Sequence, residues 1–306
     1  MEHFPLHQPC LLKSLPSMAS IGSFGDESIL GVALISKPLK GYLTFCDRLS
    51  PSATTDTECT STMLVPDTLT EQMAALYPCA KLVPVADARA VFIDTLEYLQ
   101  QSGILGMTSL LPNSPTVASD ARVGERVVVE SGVQIDSGVT VGNGAVIRRG
   151  AWLQRGAAVG ENSVIGSVGI DAYLGQDGKR RRFPHLAGVI VGEGVSLGAS
   201  CVVVRGILSS TRIGAGSIIG NLCNIGHGVE VGENVWISAG TMIGGHTTID
   251  SNATIALGCA IRDNIFIGAN ANVGMGSVVT KNVRAGRSVF GNPAKSFRSI
   301  NAGPVR

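Results

Sequence analysis

Charge is scarce in this chain. Only 15% of its 306 residues are Asp, Glu, Lys or Arg, and the formal net charge is +1. Bulk electrostatics therefore give no reason to expect nucleic acid as a partner. No apolar run approaches a membrane span, so no stable membrane insertion is expected. The opening MEHFPLHQPC carries an acid and histidines where a secretory leader would be basic, and a cytoplasmic protein is expected. Seven cysteines, at positions 10, 46, 59, 79, 201, 223 and 259, are odd in number and lack paired spacing. That argues against a disulfide framework and against a zinc site, and no metal is expected.

Glycine (39 residues) and hydrophobic residues (44%) are plentiful. Low charge with abundant glycine suits a solenoid whose residues face a core or a turn, with further surface buried between subunits. The order of the residues says the same. From Val117 to Ile165 an aliphatic residue recurs every sixth position, through Val123, Val129, Ile135, Val141, Ile147, Leu153 and Val159. The pattern resumes at Val191, Leu197 and Val203, and then runs unbroken from Ile213 through Ile225 and Ile243 to Val279. Neither a helix nor a simple alternating strand has that period. One short strand plus one turn does, and three such units close a triangular coil of 18 residues with parallel sheets on its sides. Small residues two positions before the anchor, such as Ala145, Cys201, Ser217, Cys223 and Cys259, fit a crowded interior. Glycine directly after the anchor, as at Gly214, Gly232, Gly244 and Gly268, suggests corners needing unusual dihedrals.

Residues 1–110 do not repeat. Segments 30–35, 61–66 and 80–85 read as strands, the first ended by Ser36-Lys37-Pro38. Asp67 to Tyr77 has helical periodicity, and Asp87 can cap a helix through Gln101. Alternating strands and helices predict a small α/β domain. Gly106–Pro115 reads as a linker. His3 and His7 fall in a terminal segment where disorder is the default.

The solenoid pattern breaks at 167–188, which holds the basic run Lys179-Arg180-Arg181-Arg182, and again at 205–210. The basic run either contacts phosphate or an acidic substrate, or meets solvent. Insertions into a rigid coil are natural binding walls. His227 lies two residues past the anchor Ile225, at a corner, where an imidazole at the coil edge suits a general base or is a plain surface histidine. His246 is nineteen residues later, at nearly the same corner one coil on, about 4.8 Å away along the stack. A two-histidine metal site is the alternative, without a third ligand at matching register.

The hexads, the segment Ile165–Ile170, the return Phe183–Gly192, the step Arg205-Gly206 and the stretch Asn221–His227 together resemble a known group. They are similar to the left-handed parallel β-helix acyltransferases of hexapeptide-repeat type, and more closely to the UDP-3-O-acylglucosamine N-acyltransferase family. The resemblance implies an N-terminal α/β nucleotide-binding-like domain over 1–110 and a left-handed parallel β-helix over 111–283 with an inserted loop at 167–188. A C-terminal tail over 284–306 would complete the chain, which would assemble as a homotrimer.

The implied activity is transfer of an acyl group from a thioester to the amine of a nucleotide-linked amino sugar. Sugar hydroxyl transfer is the runner-up, and a non-catalytic nucleotide-sugar-binding protein the alternative from another class. His227 would be the general base and Gly245 the backbone N–H donor to the oxyanion. Asn221, Asn224, Glu230, His246 and Arg205 would meet or orient the acceptor, and Tyr42 would stack on a base. The family's acidic residue before Arg-Gly is Val204 here, and its asparagine-proline step reads Lys37-Pro38. The end of the chain, Val289–Lys295, is instead similar to coenzyme-A-dependent sugar acetyltransferases. Arg284, Arg287, Lys295 and Arg298 would then meet coenzyme A phosphates, or form a solvated basic terminus. Acyl-CoA is thus favoured as co-substrate over an acyl carrier protein.

Overall fold

A computed structural model describes residues 3–18, 27–34, 39–49, 60–105 and 111–297. The chain divides into two compact units, Met1–Leu110 with Ile170–Leu186, and Leu111–Gly169 with Ala187–Arg306.

The first unit holds a five-stranded sheet in sequence order: β1 (His3–Leu11), β2 (Ser28–Ala33), β3 (Tyr42–Phe45), β4 (Thr62–Pro66) and β5 (Lys81–Val85). β1 pairs antiparallel with β2, and the remaining pairs are parallel. Helices α1 (Thr70–Leu76) and α2 (Ala88–Gln101) follow β4 and β5. The expected Asp87 cap is made: its Oδ1 accepts from the Ala90 N–H at 3.0 Å. α2 buries Phe92, Ile93, Leu96 and Leu99 completely, alongside the sheet residues Phe4, Ile29, Leu43 and Leu64. Full burial of such side chains is worth about 1.5–3 kcal/mol each. The expected terminal disorder is corrected, because His3 and His7 lie in β1, and β2 ends at Ala33. Ser36-Lys37-Pro38 lies outside the described residues.

The inserted segment also belongs to this first unit, and not to the solenoid wall expected from the sequence. It forms an antiparallel hairpin of Ala172–Leu174 and Arg180–Arg182. Arg181 clamps it to α2, donating to Asp94 at 2.7 and 3.1 Å and to Asp177 at 2.8 and 3.0 Å. The Tyr173 hydroxyl donates to Asp87 at 3.0 Å, and the Arg89 guanidinium lies 5.2 Å from the Tyr173 ring centre.

The second unit is the parallel β-helix expected from the hexads. Each coil places one strand on each of three faces. The first face has eight strands, from Thr116–Val117 to Phe266–Ile267, and the third has eight, from Val128–Val129 to Val278–Val279. The second face starts at Arg122–Val123 and has ten, the last being Lys295–Phe297, which pairs antiparallel with Ser288–Phe290. One parallel coil strand, Ser288–Phe290, and the antiparallel strand Lys295–Phe297 thus fall within the stretch 284–306. From Ile135 onward the aliphatic anchors and the small residues before them form one continuous core, with Ala145, Cys201, Ser217 and Cys223 at most 1% exposed, whereas the first anchors Val117 and Val123 are exposed.

The corners differ from expectation in one respect. The left-handed backbone falls on the third residue after the anchor, as at Asn234 (φ 53) and Asn252 (φ 61), where asparagine is tolerated. The glycine directly after the anchor serves another purpose. A Cβ at Gly244 would stand 2.8 Å from the Asp263 Cα, and one at Gly268 would stand 2.8 Å from the Ala285 Cα. Backbone of the next coil occupies the space a side chain would need.

Candidate functional site

The site forms at the corner between the third and first faces, where Asn224–Ile225 turns into Glu230–Val231 and, one coil later, Met242–Ile243 turns into Thr248–Ile249. At three other corners of the solenoid, the residue two past the anchor exposes a backbone N–H that the coil above caps. Asn143 Oδ1 accepts from Glu125 N at 2.7 Å, Asn221 Oδ1 from Ala199 N at 2.9 Å, and Ser251 Oγ from Glu233 N at 3.1 Å. At this corner the capping position is Gly245. It offers no side chain, and the His227 ring takes the space: a Cβ on Gly245 would stand 2.5 Å from Nε2 and 2.9 Å from Nδ1.

The reciprocal contact is made by His246. Its ring lies over Gly228, where a Cβ would be 2.7 Å from Nδ1. The two rings meet edge to face, with centroids 4.8 Å apart and planes at 78°. His246 adopts φ 55, a left-handed conformation that costs a non-glycine residue about 1 kcal/mol or more. Its N–H donates to the His227 carbonyl at 2.8 Å, tying the two coils. His227 is half-buried and His246 exposed. Among the described residues, no acceptor engages the Gly245 N–H, although the Gly245 carbonyl accepts from Asn264 N at 2.9 Å. A half-buried imidazole beside an unengaged backbone donor is an arrangement able to move a proton and stabilise a nascent oxyanion.

The other sequence candidates fall in several places. Asn224 shares the corner, half-buried on the third face beside Met242. Glu230 is exposed on the first face, between Arg212 and Thr248. Asn221 sits at the preceding corner of the same coil, and its amide oxygen is the cap on Ala199. Arg205 is committed to the scaffold: it donates to the carbonyls of Gly166, at 3.0 Å, and of Arg149. Burial holds its guanidinium below the usual arginine range, with Arg148 and Arg149 adding to the effect against the pull of Glu130. Tyr42 is in the first unit, half-buried at the start of β3, with its ring over Gly31.

Near the C-terminal end, Lys281, Arg284, Arg287 and Lys295 line an open basin of about 840 Å³ together with Val283, Val289 and Pro293. No acid lines it. Arg298 lies outside the described residues. In the basic run, Arg181 pairs with Asp94 and Asp177.

Two residues escaped the sequence reading. Thr211 is fully buried beneath the histidine corner, and Ser167 Oγ is buried where the first solenoid stretch ends. Nothing in the sequence distinguishes position 211, because buried Ser or Thr fills the same interior position at 163, 217, 241, 247 and 277.

No family model matches the chain. Local similarity is to proteins named UDP-3-O-acylglucosamine N-acyltransferase. The one from Maricaulis maris is 51% identical over 51 residues, which is 17% of this chain and 15% of that protein. The one from Colwellia psychrerythraea is 43% identical over 67 residues, 22% and 19% of the two chains. The chain thus spans about a fifth or less of the curated relatives it matches. Among solved structures, a UDP-N-acetylglucosamine O-acyltransferase from Moraxella catarrhalis aligns at TM-score 0.43 and 18% identity, over 60% of this chain and 72% of that one. In sequence, the solenoid protein described above resembles the hexapeptide-repeat acyltransferases. Within them the local likeness is to UDP-3-O-acylglucosamine N-acyltransferases.

Proposed function

We propose that this protein transfers an acyl group from a thioester to the amine of a nucleotide-linked amino sugar of the UDP-glucosamine type. The observation that carries the reading is the His227 ring lying against Gly245, whose N–H points to no acceptor among the described residues. In the reaction the amine nitrogen attacks the thioester carbonyl, forming the C–N bond as the carbonyl electrons move to oxygen. The Gly245 N–H meets that oxyanion, a contribution of about 3–4 kcal/mol to the barrier when well aligned. His227 takes the proton from nitrogen, the C–S bond breaks, and the proton passes to the departing thiolate.

Acyl-CoA is the donor we favour. The basin of Lys281, Arg284, Arg287 and Lys295 supplies cations for its phosphates without a competing acid. The local likeness to N-acyltransferases of UDP-3-O-acylglucosamine supports the acceptor and supports nitrogen over oxygen. Homotrimeric assembly fits the third face, whose outward ladder runs Val128, Val146, Val164, Val202, Asn224 and Met242. A neighbouring copy on that face would wall the His227 corner.

The test is thiol release from acyl-CoA or acyl carrier protein in the presence of UDP-linked amino sugars, with product mass and alkali stability recorded. An alkali-stable acylated sugar formed from acyl-CoA supports the reading. An alkali-labile product would move the acceptor to a hydroxyl. Tight nucleotide-sugar binding without thiol release would favour the non-catalytic alternative.

A further inference from the structure

The corner that carries His227 is fastened from two sides, by backbone from one coil and by a buried hydroxyl from the other, as Ser163 and Ser217 fasten Cys201 and Val235 elsewhere in the solenoid. From above, His246 N–H donates to the His227 carbonyl, as corner backbone does on other coils. From below, the bond is a side chain's. Thr211 Oγ1 accepts from Gly228 N at 2.9 Å and donates to the Val204 carbonyl at 2.6 Å. The hydroxyl is therefore used in both directions, and its orientation is fixed by the two partners.

Packing does not explain this hydroxyl. Thr211 pairs in register with Val189 on the coil below, and Val229 follows on the coil above, while Ala151 and Thr247 hold the same interior rung one coil further out on either side. Thr211 and its neighbours Val189 and Val229 are all fully buried. A valine there would fill the same volume. What it would lose is the bridge between Gly228, the residue after His227, and Val204, the residue just before the 205–210 protrusion. Gly228 also lies directly beneath the His246 ring, so a shift of its backbone would disturb both imidazoles.

We infer that Thr211 is a positioning residue for His227: its hydroxyl sets the height of the corner at which the imidazole faces Gly245. The inference rests on the proposed role of His227 as base. Displacement of a reacting group by about 1 Å can cost about 10²-fold in rate. Isosteric removal of this hydroxyl releases both Gly228 and Val204, and the melting temperature separates lost stability from a displaced imidazole.

The experiment compares Thr211→Val, Thr211→Ser and His227→Ala in the thioester assay, with melting temperature and amide exchange recorded for each. Thr211→Val should lower kcat about 10²-fold at little-changed KM for both substrates. Thr211→Ser, which keeps the hydroxyl, should restore turnover, and the Gly228 amide should exchange slowly in wild type and Ser but quickly in Val. Full activity of a folded Thr211→Val overturns the inference while an inactive His227→Ala leaves the functional reading standing. Full activity of His227→Ala removes the functional reading itself. If Thr211→Val does not fold, a fast-exchanging Gly228 amide in the wild-type protein overturns the proposal, and slow exchange retained in Thr211→Ser upholds it.

Discussion

His227 and His246 interlock across two coils, each ring filling the space above a glycine that precedes or follows the other: His227 over Gly245, His246 over Gly228. Neither glycine has this role by virtue of corner geometry alone. Gly228 has the left-handed φ of 63, whereas Gly245 is required by the ring that lies on it.

Gly245→Ala follows from that contact. The added Cβ retains the backbone N–H but pushes against Nε2, so the imidazole must swing away. Turnover should fall about 10²-fold, while the melting temperature changes little because the ring can leave toward solvent. Steady-state kinetics beside a thermal melt check both parts.

Arg205 is expected to behave as a scaffold residue. Arg205→Ala leaves the carbonyls of Gly166 and Arg149 without their guanidinium donor. The loss should be about 1–3 kcal/mol in urea unfolding, with KM for the nucleotide sugar nearly unchanged in the protein that remains folded.

The basin cations should act on the donor alone. Removing Arg284 and Arg287 together should raise KM for acyl-CoA by about tenfold or more, as charge-assisted bonds of about 1.5–3 kcal/mol are lost. The kcat value and the acceptor KM should stay near wild type. Added salt should weaken acyl-CoA binding in wild type more than in the double variant.

The hairpin clamp should be sensitive to acid. Hydrogen bonds from Arg181, and then from the Lys179 N–H, hold the Asp177 carboxyl far below its ordinary range. A carboxylate with a lowered folded pKa contributes stability that is fully present above its unfolded pKa, near about 4, and is lost as pH falls toward the folded value. Amide exchange across 172–182 should therefore accelerate below about pH 4, and Asp177→Asn should make it faster at neutral pH and flatter with pH.

Much of the solenoid was legible because its period is local. Each anchor from Ile213 to Val279 is buried, and the Asp87 cap is a four-residue signal. The shared corner of His227 and His246 was legible for the same reason, since 18 residues per coil converts sequence spacing into stacking. What escaped was long-range. The strand His3–Leu11 exists through its pairing with β2, and the hairpin at 172–182 joins α2 through Arg181 and Asp94, 87 residues apart. Arg205 was expected to meet or orient the acceptor; its scaffold role escaped because its partners are carbonyls, which every residue carries. Thr211 showed only as one polar residue, and its two bonds depend on where the 205–210 protrusion returns.

The most direct test is the turnover of His227→Ala on acyl-CoA and a UDP-linked amino sugar, measured beside nucleotide-sugar affinity and the thermal melt. Loss of a general base predicts a fall in kcat of about 10²–10⁴-fold with affinity and melting temperature preserved. Unchanged turnover in the folded variant would contradict the account and remove His227 from the chemistry.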